Sequence, residues 1–283
     1  MSRKYYCLIA GLPEVLPDDS KTTFSVNSFR EYLTNELHPD DLRLIGLFYL
    51  SYDNENLINL LNETGKEFSS KGNFSRETLE EQIKLVKNGE VQPGEGPLLS
   101  YMIYFIESFF SESERFQGLS PDNQLTKLYY EHVLTTKNNF LKDYFEFELN
   151  LNNVLAAFNS RKHDLDPGEE VLQINEVAAL LVKTSRDSTL GNDYPYLQEL
   201  QHILEDSDLF EREKKIDNLK WKYLDDQVFF FYFTIERVIS YSIKLGLLER
   251  WMQLDRETGE KMFKQLIRDL EESYEFPEEY TLN

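Results

Sequence analysis

The chain has 283 residues, with 51 acidic side chains against 30 basic ones, so its formal charge of −21 repels nucleic-acid backbones and anionic lipid; it would favour a basic protein partner, although the first reading of such a charge is simply solubility. The one cysteine, Cys7, excludes an intrachain disulfide and a cysteine metal cluster and suits a reducing cytoplasm; lying in an apolar run, it is expected to be buried and inert. No stretch reaches the apolar length of a bilayer span, since Glu107 interrupts the nearest one at Leu98–Phe110, so the chain is expected to be soluble, with any membrane association made through another subunit.

The only strand candidate is Tyr5–Ala10, and a lone strand is marginal. Gly11-Leu12-Pro13-Glu14 ends this run without the small-residue site of a cleaved leader. Val26, Phe29, Leu33 and Leu37 then share one helical face. Pro39 suits a first turn ahead of Leu42, Ile45 and Phe48-Tyr49. Asp53 is expected to cap a separate helix carrying Leu57, Ile58 and Leu61, with Gly65 as its terminator. Phe74-Ser75 with Leu79 has the form of a hydrophobic staple around a serine cap, and Asn88-Gly89 stops that helix.

Gln92–Pro97 is the clearest loop of the first half, followed by an aromatic-rich helix to about Glu112. Ser120-Pro121-Asp122 opens another helix, and a further one ends at Arg161-Lys162-His163. Asp166-Pro167-Gly168 is a second break and the expected seam between units. Helices are predicted at 171–183, 195–205, 209–224, 228–245 and 256–274, with a short turn at Leu247–Met252 joining the last two. The fold class is therefore all-α, with at most one short N-terminal strand. The 20 Phe and 17 Tyr fall mostly at helical spacing and are expected to be core.

Signals for chemistry are sparse. Glu199-Leu-Gln-His202 is a lone Glu-x-x-His pair where a dimetal bundle needs two, and its bland reading is two polar residues on a solvated face. His38, His132, His163 and His202 are scattered singly, and the Gly-x-Ser-x-Gly elbow of serine hydrolases is absent. Gly89 and Gly94 have phosphate-loop spacing, but Glu95 and Gly96 stand where lysine and serine or threonine belong. Glu80-Glu81 and Asp225-Asp226 read as solvated faces. No catalytic, cofactor-binding or metal-binding residue is assigned, and neither a cofactor nor a small-molecule substrate is expected.

The strongest pattern is a repeat. Phe48-Tyr-Leu50-Ser-Tyr52-Asp53-Asn-Glu-Asn56-Leu57-Ile58 is matched by Phe145-Glu-Phe147-Glu-Leu149-Asn150-Leu-Asn-Asn153-Val154-Leu155. A fainter third copy runs from Phe229 through Phe231 and Phe233 to Val238-Ile239, with Arg237 in the asparagine place. Copied helical units point to a scaffold more than to a single catalytic pocket. Asn56 and Asn153 admit two readings: helix-start residues that satisfy free amides, or polar pins that hold neighbouring helices in register at equivalent places in each unit. The first is the expectation here. On this pattern, residues 1–283 form a single helical domain of two to three similar units, at about 1–92, 97–166 and 169–283.

Tyr144 through Asp166, with Asn153 and the basic Arg161-Lys162, resembles a recurring segment of the central-stalk component of V-type and A-type ATPases, the one lettered C in prokaryotic complexes and d in eukaryotic ones. Tyr5-Tyr6 through Leu12-Pro13, Phe48–Asn62 and Phe231–Trp251 also resemble a bacterial family whose members accompany V-type ATPase subunits and take the place of that stalk component. The chain departs from the stalk component in being shorter and in carrying Arg237 at the third asparagine position. The resemblance implies an all-helical, funnel-like array in which Asp53, Asn56, Asn150, Asn153 and Arg161 are structural repeat positions. It further implies a non-catalytic coupling role, in the cytoplasm and peripheral to the inner membrane. Its partners would be the rotary ATPase shaft subunits and the membrane rotor ring, with no nucleic acid and no direct membrane insertion. The alternative is a free-standing acidic helical adaptor for a basic or helical protein partner.

Overall fold

In the computed structural model, which describes residues 3–17, 19, 21–111, 118–183, 195–206 and 208–273 (the side chains of 195 and 255–273 excepted), every regular element is a helix. The order is α1 (Tyr6–Gly11), α2 (Val26–Glu36), α3 (Pro39–Leu61), α4 (Arg76–Lys87), α5 (Ser100–Phe110), α6 (Pro121–Val133), α7 (Asn139–Lys162), α8 (Pro167–Glu170), α9 (Glu176–Lys183), α10 (Pro195–Leu204), α11 (Leu209–Val228) and α12 (Ile235–Ser273). No helix among the described residues is long and apolar enough to cross a membrane.

Local chemistry sets most of the helix starts. Ser25 accepts from the Ser28 amide at 3.1 Å while the Ser28 hydroxyl accepts from the Ser25 amide at 2.9 Å, so two first-turn donors are met reciprocally. Ser75, Ser120 and Asn138 cap α4, α6 and α7 by accepting from the amides of Thr78, Asn123 and Leu141. Pro39 and Pro121 stand in first turns, where a missing N–H removes nothing. At the end of α4, Gly89 takes φ +72°, a conformation that side chains with a Cβ resist.

α3 and α7 occupy the middle of the assembly. α3 packs on α2, α4, α6 and α12, while α7 packs on α6, α8, α9, α10 and α11. One contiguous apolar core runs from Leu8 on α1 to Leu245 on α12 and includes Phe29, Tyr144, Phe145 and Phe147, all at most 2% exposed. Surrounded on most sides, these two helices bury polar as well as apolar residues, among them Asp53, Asn54, Asn56, Asn150 and Asn153. Polar residues in their middles must therefore find partners inside the protein.

Several sequence expectations are corrected. Tyr6–Gly11 is a helix and not a strand: it has no strand to pair with, Leu8 enters the core, and the Tyr5 amide donates to the Phe233 carbonyl at 2.8 Å. That helix turns Cys7 outward, so the thiol is exposed. Asp53 does not cap a helix, because α3 is continuous through it. α9 begins at Glu176 and not at Val171, since Leu172 and Asn175 are bound by side chains of α7 ahead of the first turn. α12 is a single 39-residue helix with no turn at Leu247–Met252, where Leu248 is buried and Arg250 and Trp251 anchor to Asp217 on α11.

The third repeat copy does not share the conformation of the other two. Its aromatic run falls in the turn between α11 and α12, leaving Phe229, Phe230, Phe231 and Tyr232 at 65%, 80%, 36% and 67% exposure. Among the described residues most Phe and Tyr are buried or pack, partly buried, against the core; these four and Tyr6, at 58%, are among the exceptions.

Candidate functional site

The repeat positions form two matching sets of internal anchors. On α3, the Asn56 side chain donates to the Ser69 carbonyl at 2.9 Å and accepts from the Ser69 amide at 2.8 Å. On α7, Asn153 donates to the Leu172 carbonyl at 3.0 Å and accepts from the Leu172 amide at 2.8 Å. Each carboxamide thus completes one peptide unit of a returning segment, as a neighbouring strand would. Both residues lie inside their helices and are almost fully buried, so neither belongs to a first turn, and each holds the backbone of a following non-helical segment and not a neighbouring helix. Asn153 reaches Leu172 across the Asp166–Gly168 break.

One turn earlier, Asp53 and Asn150 hold the residues that lead into the next helix. Asp53, with no exposed surface, accepts from the Asn73 amide at 2.7 and 2.8 Å, from Asn73 Nδ2 at 2.7 Å and from the Phe74 amide at 3.0 Å. Burial raises its carboxyl above the ordinary range, against the pull of these bonds and of Arg30. Asn150 accepts from Asn175 Nδ2 at 2.8 Å and donates to the Tyr196 hydroxyl at 3.2 Å. Asn175 then caps α9 by accepting from the Ala178 amide at 3.0 Å. Arg161 donates to the Leu181 carbonyl at 2.6 Å, tying the end of α7 to the last turn of α9.

Gly72 is required by the first set. A Cβ there would collide with Asp53 Oδ1, and this oxygen is fixed by its own bonds. Gly72→Ala is expected to cost about 1–3 kcal/mol as an overpacked interior site, checked by urea unfolding.

Between α3, α6, α7, α11 and α12 lies a cavity of about 680 Å³. Its walls are aromatic, with Phe48, Tyr52, Tyr129 and Tyr144 among them, and four acidic groups also line it: Glu55, Asp122, Glu148 and Asp217. Asp217 Oδ2 accepts from Arg250 and from Trp251 Nε1, the latter at 2.9 Å. Its Oδ1 is buried without a hydrogen bond, and Lys220 Nζ stands 3.9 Å from it and 3.9 Å from Glu148 Oε1. The Tyr144 hydroxyl has no hydrogen-bond partner among the described residues, although Tyr144 is 2% exposed. Lys71, Lys220 and Arg250 line the same cavity, so its acidic groups already face cations, and the groups left without a hydrogen bond among the described residues include Asp217 Oδ1 and the Tyr144 hydroxyl.

Glu148 is packed about by protein, yet its carboxylate borders the cavity. Burial raises its carboxyl above the usual range; Lys220 and the Tyr130 hydroxyl pull it down, and Asp217 adds to the rise. A carboxyl raised in the folded state contributes stability that is complete below its unfolded value and is lost as pH rises through the folded one. Glu148→Gln is therefore expected to raise Tm at neutral pH and to change it little in acid, which paired thermal melts would check.

The residues considered for a metal do not converge. Glu199 pairs with Lys222 at 3.2 Å, and His202 lies 3.7 Å from Glu205 with its side chain 82% exposed. Among the described residues, no group of three or more His, Cys, Asp or Glu side chains is placed to hold a metal ion. The cavity itself escapes sequence reasoning, because its lining is interspersed over several helices. The two repeat copies supply Phe48, Tyr52, Glu55, Glu148 and Asn152 to it, yet none of the anchor positions that make the repeat visible.

A family profile described as "Protein of unknown function (DUF2764)" matches residues 1–274. The chain belongs to that family. No curated protein and no solved structure matches it. Family membership thus covers nearly the whole chain, including both anchor sets and the cavity.

Proposed function

We propose that the protein is a non-catalytic coupling subunit of a V-type or A-type rotary ATPase, standing between the central shaft and the membrane rotor ring. It would lie in the cytoplasm, peripheral to the membrane through other subunits. The observation that carries this reading is the pair of matching anchor sets, Asp53–Asn56 and Asn150–Asn153. Each locks a central helix to the segment that follows it. Torque transmission needs a body that resists shear, and buried, fully paired amide anchors in a close-packed helical core supply that stiffness.

Two surfaces support a protein partner. Glu148, partly exposed and 3.9 Å from Lys220, borders the cavity, and a lysine or arginine from a shaft helix would find a carboxylate there. The exposed Phe229–Tyr232 turn is the kind of apolar patch that a constant partner covers. The charge of −21 would speed association with a basic shaft, an effect that weakens as salt rises.

Mixing the purified protein with V-type or A-type shaft subunits at low salt tests the reading. A stoichiometric complex, weakened by Glu148→Gln, is expected, with no ATP turnover by the protein alone. Failure to bind either shaft or ring subunits at low salt would overturn it. The adaptor reading gains ground if a stoichiometric partner outside the ATPase is recovered, because the same acidic cavity would serve it.

A further inference from the structure

A second cleft, of about 380 Å³, lies between residues 9–16, α11 and α12, away from the central cavity. α12 contributes Arg237, Ser240 and Lys244, spaced so that all three fall on one helical face. Arg237 stands where the repeat pattern has asparagine, but it pins no backbone segment. Instead it lines this cleft, and its guanidinium has no hydrogen-bond or ion-pair partner among the described residues. That is unexpected in a chain with 51 carboxylates for 30 cations.

Ser240 supplies a second, independent sign. It is 2% exposed, and its hydroxyl makes no hydrogen bond among the described residues, although helical serines commonly bond back to a carbonyl one turn earlier. Ser242, two residues on, does so, donating to the Val238 carbonyl at 3.0 Å. The Ser240 oxygen is also not sealed from solvent, so the little surface it retains opens on the cleft.

Lys244 completes the set. Its ammonium stands 4.7 Å from the centre of the Trp221 ring and 2.5 Å from Asp225 Oδ1. Burial lowers its ammonium below the ordinary lysine range, the bond to Asp225 pulls it back up, and Arg237 adds a smaller repulsion. Among the described lining residues, Asp225 and Glu14 carry the opposing charge, and the Asp225 side chain is 54% exposed. Glu14 stands at the mouth, exposed. The unmet groups are donors. Leu12, Val15 and Trp221 give the remaining wall an apolar character.

We propose that this cleft binds a phosphate-class oxyanion. Arg237 and Lys244 neutralise it, Ser240 donates to it, and the apolar remainder of a phosphate ester lies against Leu12, Val15 and Trp221. Such a group occurs in soluble phosphate esters and in phospholipid headgroups. The site does not rest on the coupling role proposed above.

The test uses the full chain titrated calorimetrically with inorganic phosphate and glycerol 3-phosphate, and separately with vesicles of phosphatidylglycerol or of phosphatidylcholine alone. Arg237→Gln changes an exposed side chain and Ser240→Ala removes one oxygen, so both variants are expected to fold, as circular dichroism would verify. Saturable binding is expected, weakened about tenfold or more by Arg237→Gln and several-fold by Ser240→Ala. Binding of the free anions assigns the source to a soluble ester; binding of phosphatidylglycerol vesicles alone assigns it to a lipid headgroup. No saturable binding in either arm overturns the proposal, as does binding that both variants leave unchanged.

Discussion

Asn153→Ala is expected to destabilise the protein by about 3–5 kcal/mol, one of the two largest effects foreseen for a single side chain here. The substitution strips partners from both the amide and the carbonyl of Leu172, each buried and about 1–3 kcal/mol costly when unmet. The matching Asn56→Ala should cost less, about 1–2 kcal/mol, because the Ser69 peptide is only part-buried and water can replace the lost carboxamide. Asn153→Asp separates the two bonds. A carboxylate still accepts from the Leu172 amide but turns an unprotonated oxygen on the Leu172 carbonyl. This variant should therefore regain stability on acidification, when the carboxyl carries a proton to donate. Urea unfolding of the three variants, at neutral pH and in acid for Asn153→Asp, checks the order.

Asp53→Asn is the second large effect, expected at about 2–4 kcal/mol despite near-identical shape. Removing a buried charge relieves a desolvation penalty, and on that ground alone the variant would be more stable. The shell decides otherwise. The polar contacts of Asp53 are the Asn73 amide, Asn73 Nδ2 and the Phe74 amide, all donors, and an amide nitrogen turned toward them meets donors with a donor. Asn150, at the equivalent place on α7, has one donor in Asn175 Nδ2 and one acceptor in the Tyr196 hydroxyl, and a carboxamide satisfies both. The difference between Asp53 and Asn150 thus follows from the hydrogen-bond inventory of each shell. Equal stability of Asp53→Asn and the parent in urea would refute that account.

Helix starts are legible because they are local. Ser25, Ser75, Ser120 and Pro39 act within four residues of themselves, so their chemistry is written in adjacent letters. The repeated asparagines are legible as a pattern, but not as pins. Their partners are the backbone groups of Ser69 and Leu172, whose side-chain identities carry no signal, at separations of 13 and 19 residues that differ between copies. The aromatic run at Phe229–Phe233 mimics the other copies by composition, yet it forms a turn, and helical periodicity alone does not register that break. The turn expected at Leu247–Met252 is absent and the segment stays helical, with Arg250 and Trp251 bound by Asp217, a contact made at 33 and 34 residues' distance. Cavities formed by several helices leave no contiguous trace in a sequence, and neither cleft has one.

α12 carries Arg237 and Lys244 at one cleft and Gly246 and Arg250 at the central cavity. With a rise of about 1.5 Å per residue, Arg237 and Arg250 stand roughly 20 Å apart on one unbroken rod. Side chains of this one helix line both clefts, so a slide of the rod that tightened one would also move groups lining the other, and two ligands sensitive to that slide would then be linked reciprocally. The long C-terminal helix is thus a single strut that forms part of the wall of both clefts.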